Sequence, residues 1–189
     1  MGRLAGVWGA IRVGTEEPAA SPDISPLTAA LAGVVVVGAP AGFEMPSTRS
    51  VPGRFAAASG LAAALRHAPS DAVGLAWLDT RSSDGDAIAA VAELWRRTGP
   101  CDAAVVAGPV TDAIKQVRDG RIVRNVDRDD LCVPVLPIVL RIATARDRLL
   151  AALDADHEPI AALAAARLGV RVVPRDRVLP GAVDTRPGG

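Results

Sequence analysis

TDAIKQVRDGRIVRNVDRDDLC, residues Thr111 to Cys132, reads as a long β-hairpin. Asp119-Gly120 sits at its centre, and a type I′ turn needs positive φ at both central positions, which Asp-Gly tolerates well. Counting outward from that turn, Arg118 faces Arg121, Val117 faces Ile122 and Lys115 faces Arg124. Like charges placed opposite one another weaken a hairpin. Such a hairpin is expected to lie in water, to meet an anion or to meet an acidic partner surface. A two-stranded hairpin alone is marginal in water, so it must be held by the rest of the domain or by a second copy of the chain.

Outward from the hairpin, the chain alternates short apolar runs with helical segments. Residues 3–13 read as a first strand, interrupted at Gly6 and Gly9, followed by a loop over 15–26 and one or two helical turns over 27–32. Gly33-Val-Val-Val-Val-Gly38 is an uninterrupted β-branched run between glycines, the pattern of a strand buried on both faces. Pro40, Pro46 and Pro52 mark residues 39–52 as a loop. A helix is expected over 54–67, a buried strand over 73–78, a loop over 79–86 and a helix over 87–98. A buried strand follows over 103–107, ahead of the hairpin. Beyond it come an apolar run over 134–140 interrupted by Pro137, helices over 143–153 and 159–168, a last strand over 170–173 and an irregular tail from 174. This alternation predicts one three-layer α/β domain spanning residues 1–189, with a mostly parallel, mixed sheet and a protruding β-hairpin arm at about 110–132. Ligands of such sheets sit outside the carboxyl ends of the strands. The loops after Val37, Leu78 and Ala107 therefore form the default site.

Composition narrows the function classes. The formal net charge is zero, so no global field draws the chain to nucleic acid or to a membrane surface. The cationic hairpin lacks the aromatics on which single-stranded nucleic acid stacks. Cys101 and Cys132 have neither metal nor redox spacing, which fits a reducing compartment, and no run approaches 18 uncharged apolar residues. A cytoplasmic location is the expectation. Lys115 is the only lysine among 21 Lys and Arg residues.

The hairpin and its flanks, VVAGPVTDAIKQVRDGRIVRNVDRDDL, resemble the methylerythritol phosphate cytidylyltransferases, nucleotidyltransferases of isoprenoid precursor synthesis. The upstream stretch SVPGRFAAASGLAAAL, then a strand and a D-x-R loop, follows the same order. The likeness is specific over about 100–132, moderate over 48–100 and weak elsewhere. It implies a Rossmann-like fold and a homodimer in which the arm crosses to the partner and completes its site. It also implies transfer of a cytidylyl group from CTP to a sugar-alcohol phosphate with Mg²⁺.

Carried over position by position, the resemblance makes Arg81 and Arg128 the candidate catalytic residues, and Asp112 a substrate contact. Gly6, Gly9 and Arg12 stand, at a stretched spacing, where the family has a nucleotide-binding glycine-rich loop. Asp79 is the metal candidate, against the plainer alternative that it only ends a strand. Arg128 is a phosphate contact, or else an exposed arm residue or a structural partner of Asp127. Much of the family pattern is missing. Two phosphate-binding lysines have no counterpart, Ala113 stands in place of a threonine, and Leu136-Pro137-Ile138 replaces T-P-Q. Removing one preorganised charge-stabilising donor typically costs about 10²- to 10³-fold in rate. The expectation is a diverged homologue, impaired or inactive, serving as a pseudoenzyme or beside an active paralogue. The alternatives are a working transferase that uses Arg12, Arg54, Arg81 and Arg128 for the missing lysines, and a regulatory protein that binds CTP or a sugar phosphate without chemistry. His67 and His157 are expected at helix-end surfaces, and Asp154, Asp156, His157 and Glu158 in a solvated interhelix loop.

Overall fold

Four consecutive valines, Val34 to Val37, are fully buried, and they divide between two cores. Val35 and Val37 pack with Leu61, Leu65 and Leu149, while Val34 and Val36 pack with Leu27, Val91 and Leu94. Alternate side chains of a strand point to opposite faces, so this strand lies at the centre of three layers. The computed structural model describes residues 2–13, 23–39, 43–79, 85–110, 114–128 and 131–178.

Elements run in the order β1 (Leu4–Arg12), α1 (Ser25–Ala30), β2 (Leu31–Ala39), β3 (Thr48–Pro52), α2 (Ala57–His67), β4 (Gly74–Asp79), α3 (Gly85–Thr98) and β5 (Ala103–Pro109). They continue with β6 (Ile114–Arg118), β7 (Arg121–Val126), β8 (Cys132–Arg141), α4 (Ile142–Asp154), α5 (Pro159–Ala165), β9 (Val170–Pro174) and α6 (Arg175–Val178). The seven-stranded sheet has the order β3-β2-β1-β4-β8-β5-β9, and β6 and β7 form a separate two-stranded sheet. β8 is antiparallel to both its neighbours, and every other ladder of the large sheet is parallel. Helices α2, α4 and α5 bury their apolar residues on one face, and α1, α3 and α6 theirs on the other. The expected α/β class, the mostly parallel mixed sheet and the protruding arm are all present.

Several local expectations are corrected. Residues 48–52 form a strand, although the prolines around them mark a loop. β3 lies at the sheet's edge, with Pro46 before it and Pro52 at its end, and edges and ends are where proline is tolerated. The helical turns before the valine run begin at Ser25, with a proline at the first turn, and give way to strand at Leu31. The run over 134–140 belongs to a ten-residue strand. Its pairing with β5 shifts between Val105↔Ile138 and Val106↔Val135, so Leu136 and Pro137 fall in a bulge that absorbs the missing ladder donor. Residues 175–178 make a helical turn that buries Val178.

The hairpin's turn is as expected, with Asp119 at φ 49° and Gly120 at φ 75°. Arg118 faces Arg121 and Val117 faces Ile122. The next pair differs. A register shift between Gln116 and Val117 sets Gln116 opposite Arg124 and Lys115 opposite Asn125. The Arg124 Nε donates to Gln116 Oε1 at 2.8 Å. An extra residue in β7 has replaced a cation–cation pair with a hydrogen bond.

Candidate functional site

The chain leaves β1 for β2 on one side and later returns to β4 on the other. β1 is thus the topological switch point, and the crevice beyond the carboxyl ends of β1 and β4 is where open α/β sheets bind ligands. In register, Arg12 at the end of β1 lies between Val37 of β2 and Asp79 of β4. Two candidates far apart in sequence are therefore neighbours on one rim. β5 also ends on that rim, and β8 starts there, so the arm between them projects from the same side of the sheet.

Gly6 and Gly9 are not in a loop at that rim. Both lie inside β1, where Gly9 is in register between Val34 and Ala76. Gly6 has φ 73°, its carbonyl accepts the Val73 amide at 2.9 Å, and a Cβ there would come within 2.8 Å of the Val73 side chain. These glycines serve a strand irregularity and close packing, and their backbone belongs to the sheet rather than to a phosphate cradle.

Arg12 projects to the face covered by α2. Its Nη1 donates to the Phe55 carbonyl oxygen at 3.2 Å. Arg54 is exposed in the segment that carries the chain from β3 into α2, beside that contact. Arg128 is exposed after β7, at the base of the arm, where its carbonyl accepts the Leu131 amide at 3.0 Å. Arg81 and Asp112 lie outside the described residues. No group of three or more His, Cys, Asp or Glu side chains able to hold a metal exists among the described residues. Mg²⁺ needs fewer protein ligands than that, since one or two carboxylates and the substrate's phosphates suffice. Asp79 ends β4 on that rim, in register with Arg12.

The only lysine, Lys115, is exposed in the middle of β6. The arm over 114–128 carries five cations and two carboxylates, a net charge of +3 on a chain of net charge zero. It also exposes apolar side chains. Val117 and Ile122, opposite each other, are 57% and 61% accessible, and Val123 is 51%. Val133 and Val135, in the part of β8 that runs out beyond β4, are exposed as well. His67 ends α2, with its Nδ1 2.9 Å from the Ala63 carbonyl oxygen, and His157 is exposed between α4 and α5.

Sequence reasoning missed the Arg12–Phe55 contact. Its one signal was a lone arginine closing an apolar strand, which sequence alone does not connect to a segment 43 residues away.

No family model matches the chain, and no curated protein matches it in sequence. Solved structures do. The 2-C-methyl-D-erythritol 4-phosphate cytidylyltransferase of Thermus thermophilus superposes with a TM-score of 0.67 at 18% identity, over 96% of this chain and 93% of that one. The Francisella tularensis enzyme of the same name gives 0.64 at 14% identity, over 89% of each chain. The 4-diphosphocytidyl-2C-methyl-D-erythritol synthase of Anaerococcus prevotii DSM 20548 gives 0.66 at 10% identity, over 89% of this chain and 86% of that one. The chain shares the fold of these nucleotidyltransferases over 89–96% of its length.

Proposed function

We propose that this nucleotidyltransferase-fold chain is a diverged homologue of methylerythritol phosphate cytidylyltransferase, impaired or inactive in CTP-dependent cytidylyl transfer, and a homodimer joined through its arms. One observation carries this reading. The rim at the switch point has Arg12 and Asp79 in register, whereas the chain's single lysine lies out along the arm rather than on the rim.

In such a transfer a phosphate oxygen of the sugar phosphate attacks the α-phosphorus of CTP, and pyrophosphate leaves. The protein's share is positioning and cancellation of phosphate charge. Asp79 is the residue that would hold Mg²⁺, which when bound would supply further cancellation of phosphate charge. On the protein side, Arg12 has a donor committed to the Phe55 carbonyl. Arg128 stands at the arm base, and Arg81 is the other cation that the resemblance retains. Arginine keeps a charge but not the compact point charge of an ammonium. Loss of two lysines, each worth about 10²- to 10³-fold by analogy with other charge-stabilising donors, leaves too little to drive turnover.

The test is calorimetry with CTP and Mg²⁺ alongside a pyrophosphate-release assay with 2-C-methyl-D-erythritol 4-phosphate. Pyrophosphate release at background level, with CTP binding no tighter than about millimolar (roughly −4 kcal/mol), is expected. Tight, metal-dependent binding with turnover would instead establish the arginines as working substitutes.

A further inference from the structure

α2 begins without a cap of its own. Ala56 occupies the N-cap position at φ −67° and ψ 171°, has no side-chain oxygen, and makes no capping hydrogen bond. An N-cap of Ser, Thr, Asp or Asn would hold one of the first free amides, and its absence weakens a helix start. Yet this start forms one wall of the rim. β3 runs parallel to β1 and β2, so the segment 53–56 that joins it to α2 lies at their carboxyl ends.

That segment is held from the sheet. The Arg12 side chain leaves the end of β1, passes α2 and donates from Nη1 to the carbonyl of Phe55, the residue just before the N-cap. Room for the stem exists because residue 60 is glycine. A Cβ there would lie 3.3 Å from Arg12 Cδ and 3.2 Å from the Trp77 ring. On the other side the Phe55 ring packs under Gly53, which turns at φ 124°. Strand end and helix entry thus meet at a single guanidinium, and the turn at Gly53 packs on the ring of the residue it holds.

From this we infer that Arg12 is a positioning residue: it latches the entry of α2 to the end of β1 and thereby fixes the wall of the rim crevice. The inference deepens the proposed function, because it diverts to a structural task the cation that stands nearest the switch point.

Hydrogen exchange followed by mass spectrometry on the unliganded full chain tests the latch. Arg12→Met keeps an unbranched stem against Gly60 and removes every donor, and Arg12→Ala removes both. In both variants the amides of Gly60 to Ala62 should exchange about tenfold faster, the scale of one charge-assisted hydrogen bond lost at a partly buried site. The thermal midpoint and the exchange of β2 and β4 should stay at the wild-type value. Unaltered exchange at Gly60 to Ala62 in Arg12→Met overturns the latch. So does a loosening seen in Arg12→Ala alone, which would assign the effect to stem packing. Pyrophosphate release by the wild type counts against the proposed impairment and does not enter this comparison.

Discussion

At the scale of the residue, Asp102 shows how much one carboxylate can join. Its Oδ2 accepts the Gly169 amide at 2.9 Å and Arg148 Nη2 at 3.2 Å, while its own amide donates to the Gly169 carbonyl and its carbonyl accepts the Arg141 amide. The hydrogen bond from Thr144, then that from the Gly169 amide, with Arg148 adding less, lowers its pKa below the ordinary 3.8. A carboxylate depressed in the folded state stabilises at pH above its unfolded value, and that contribution fades as pH falls through the folded value. Asp102→Ala should therefore cost about 1–3 kcal/mol at pH 7, with the difference from wild type shrinking below pH 3.8; urea melts across pH 2 to 7 measure it. None of this was legible beforehand. Asp102 follows a cysteine between a helix stop and a strand, and its partners lie 46 and 67 residues away. Arg12 was legible as a polar residue ending a strand, whereas its carbonyl partner was not. Gly6 and Gly9 misled for a related reason: a glycine required for packing inside a strand has the same letter as one required in a phosphate loop.

At the scale of the element, patterns that repeat within one segment were readable and those settled between segments were not. The valine run announced β2 because both its faces are covered. β3 was hidden because edge strands accept the prolines that elsewhere mark loops. The arm's turn followed from Asp119-Gly120, yet the bulge after Gln116 depended on how two strands relieve facing cations. α3 shows charge patterning of a simpler kind. Arg96 donates to Glu93 through Nε at 2.9 Å and Nη2 at 2.7 Å, and Arg97 donates to the same carboxylate. The Arg96 bonds first, then the Arg97 bond, bring the Glu93 pKa down to about 2. These side chains reach solvent, so screening limits the effect. Glu93→Gln should lower stability at pH 7 by no more than about 1 kcal/mol. The loss should persist down to about pH 4.5 and vanish near pH 2, as thermal melts would show.

At the scale of the whole molecule, the sheet order places the switch point at β1 and sends the arm out from the same rim. The fold class was legible because alternating strands and helices have few ways to pack. The insertion of β8 between β4 and β5 was not, because strand order is a property of the assembled sheet. The arm's exposed Val117–Ile122 pair, on a surface of net charge +3, calls for a cover that the described residues do not supply. A second copy, whose remaining residues carry the compensating −3, would provide one. Sedimentation should find the wild type as a dimer. The double substitution Val117→Asp with Ile122→Asp should yield a monomer whose thermal midpoint shifts little, since neither side chain belongs to either core. A wild type that sediments as a monomer would remove the arm's assigned role.

The position of β8 also imposes an order of events on the growing polypeptide. The ladders joining β1, β2, β3 and β4 need only residues up to Asp79, whereas β5 has no partner on its inner side until residues 132–141 have been made. A nascent chain can therefore assemble the amino-terminal half of its sheet early. It must then keep the inner edges of β4 and β5 apart and unpaired while the arm is synthesised. The antiparallel β8 closes the gap once it is made, so the arm emerges from the ribosome before the sheet that anchors it is complete.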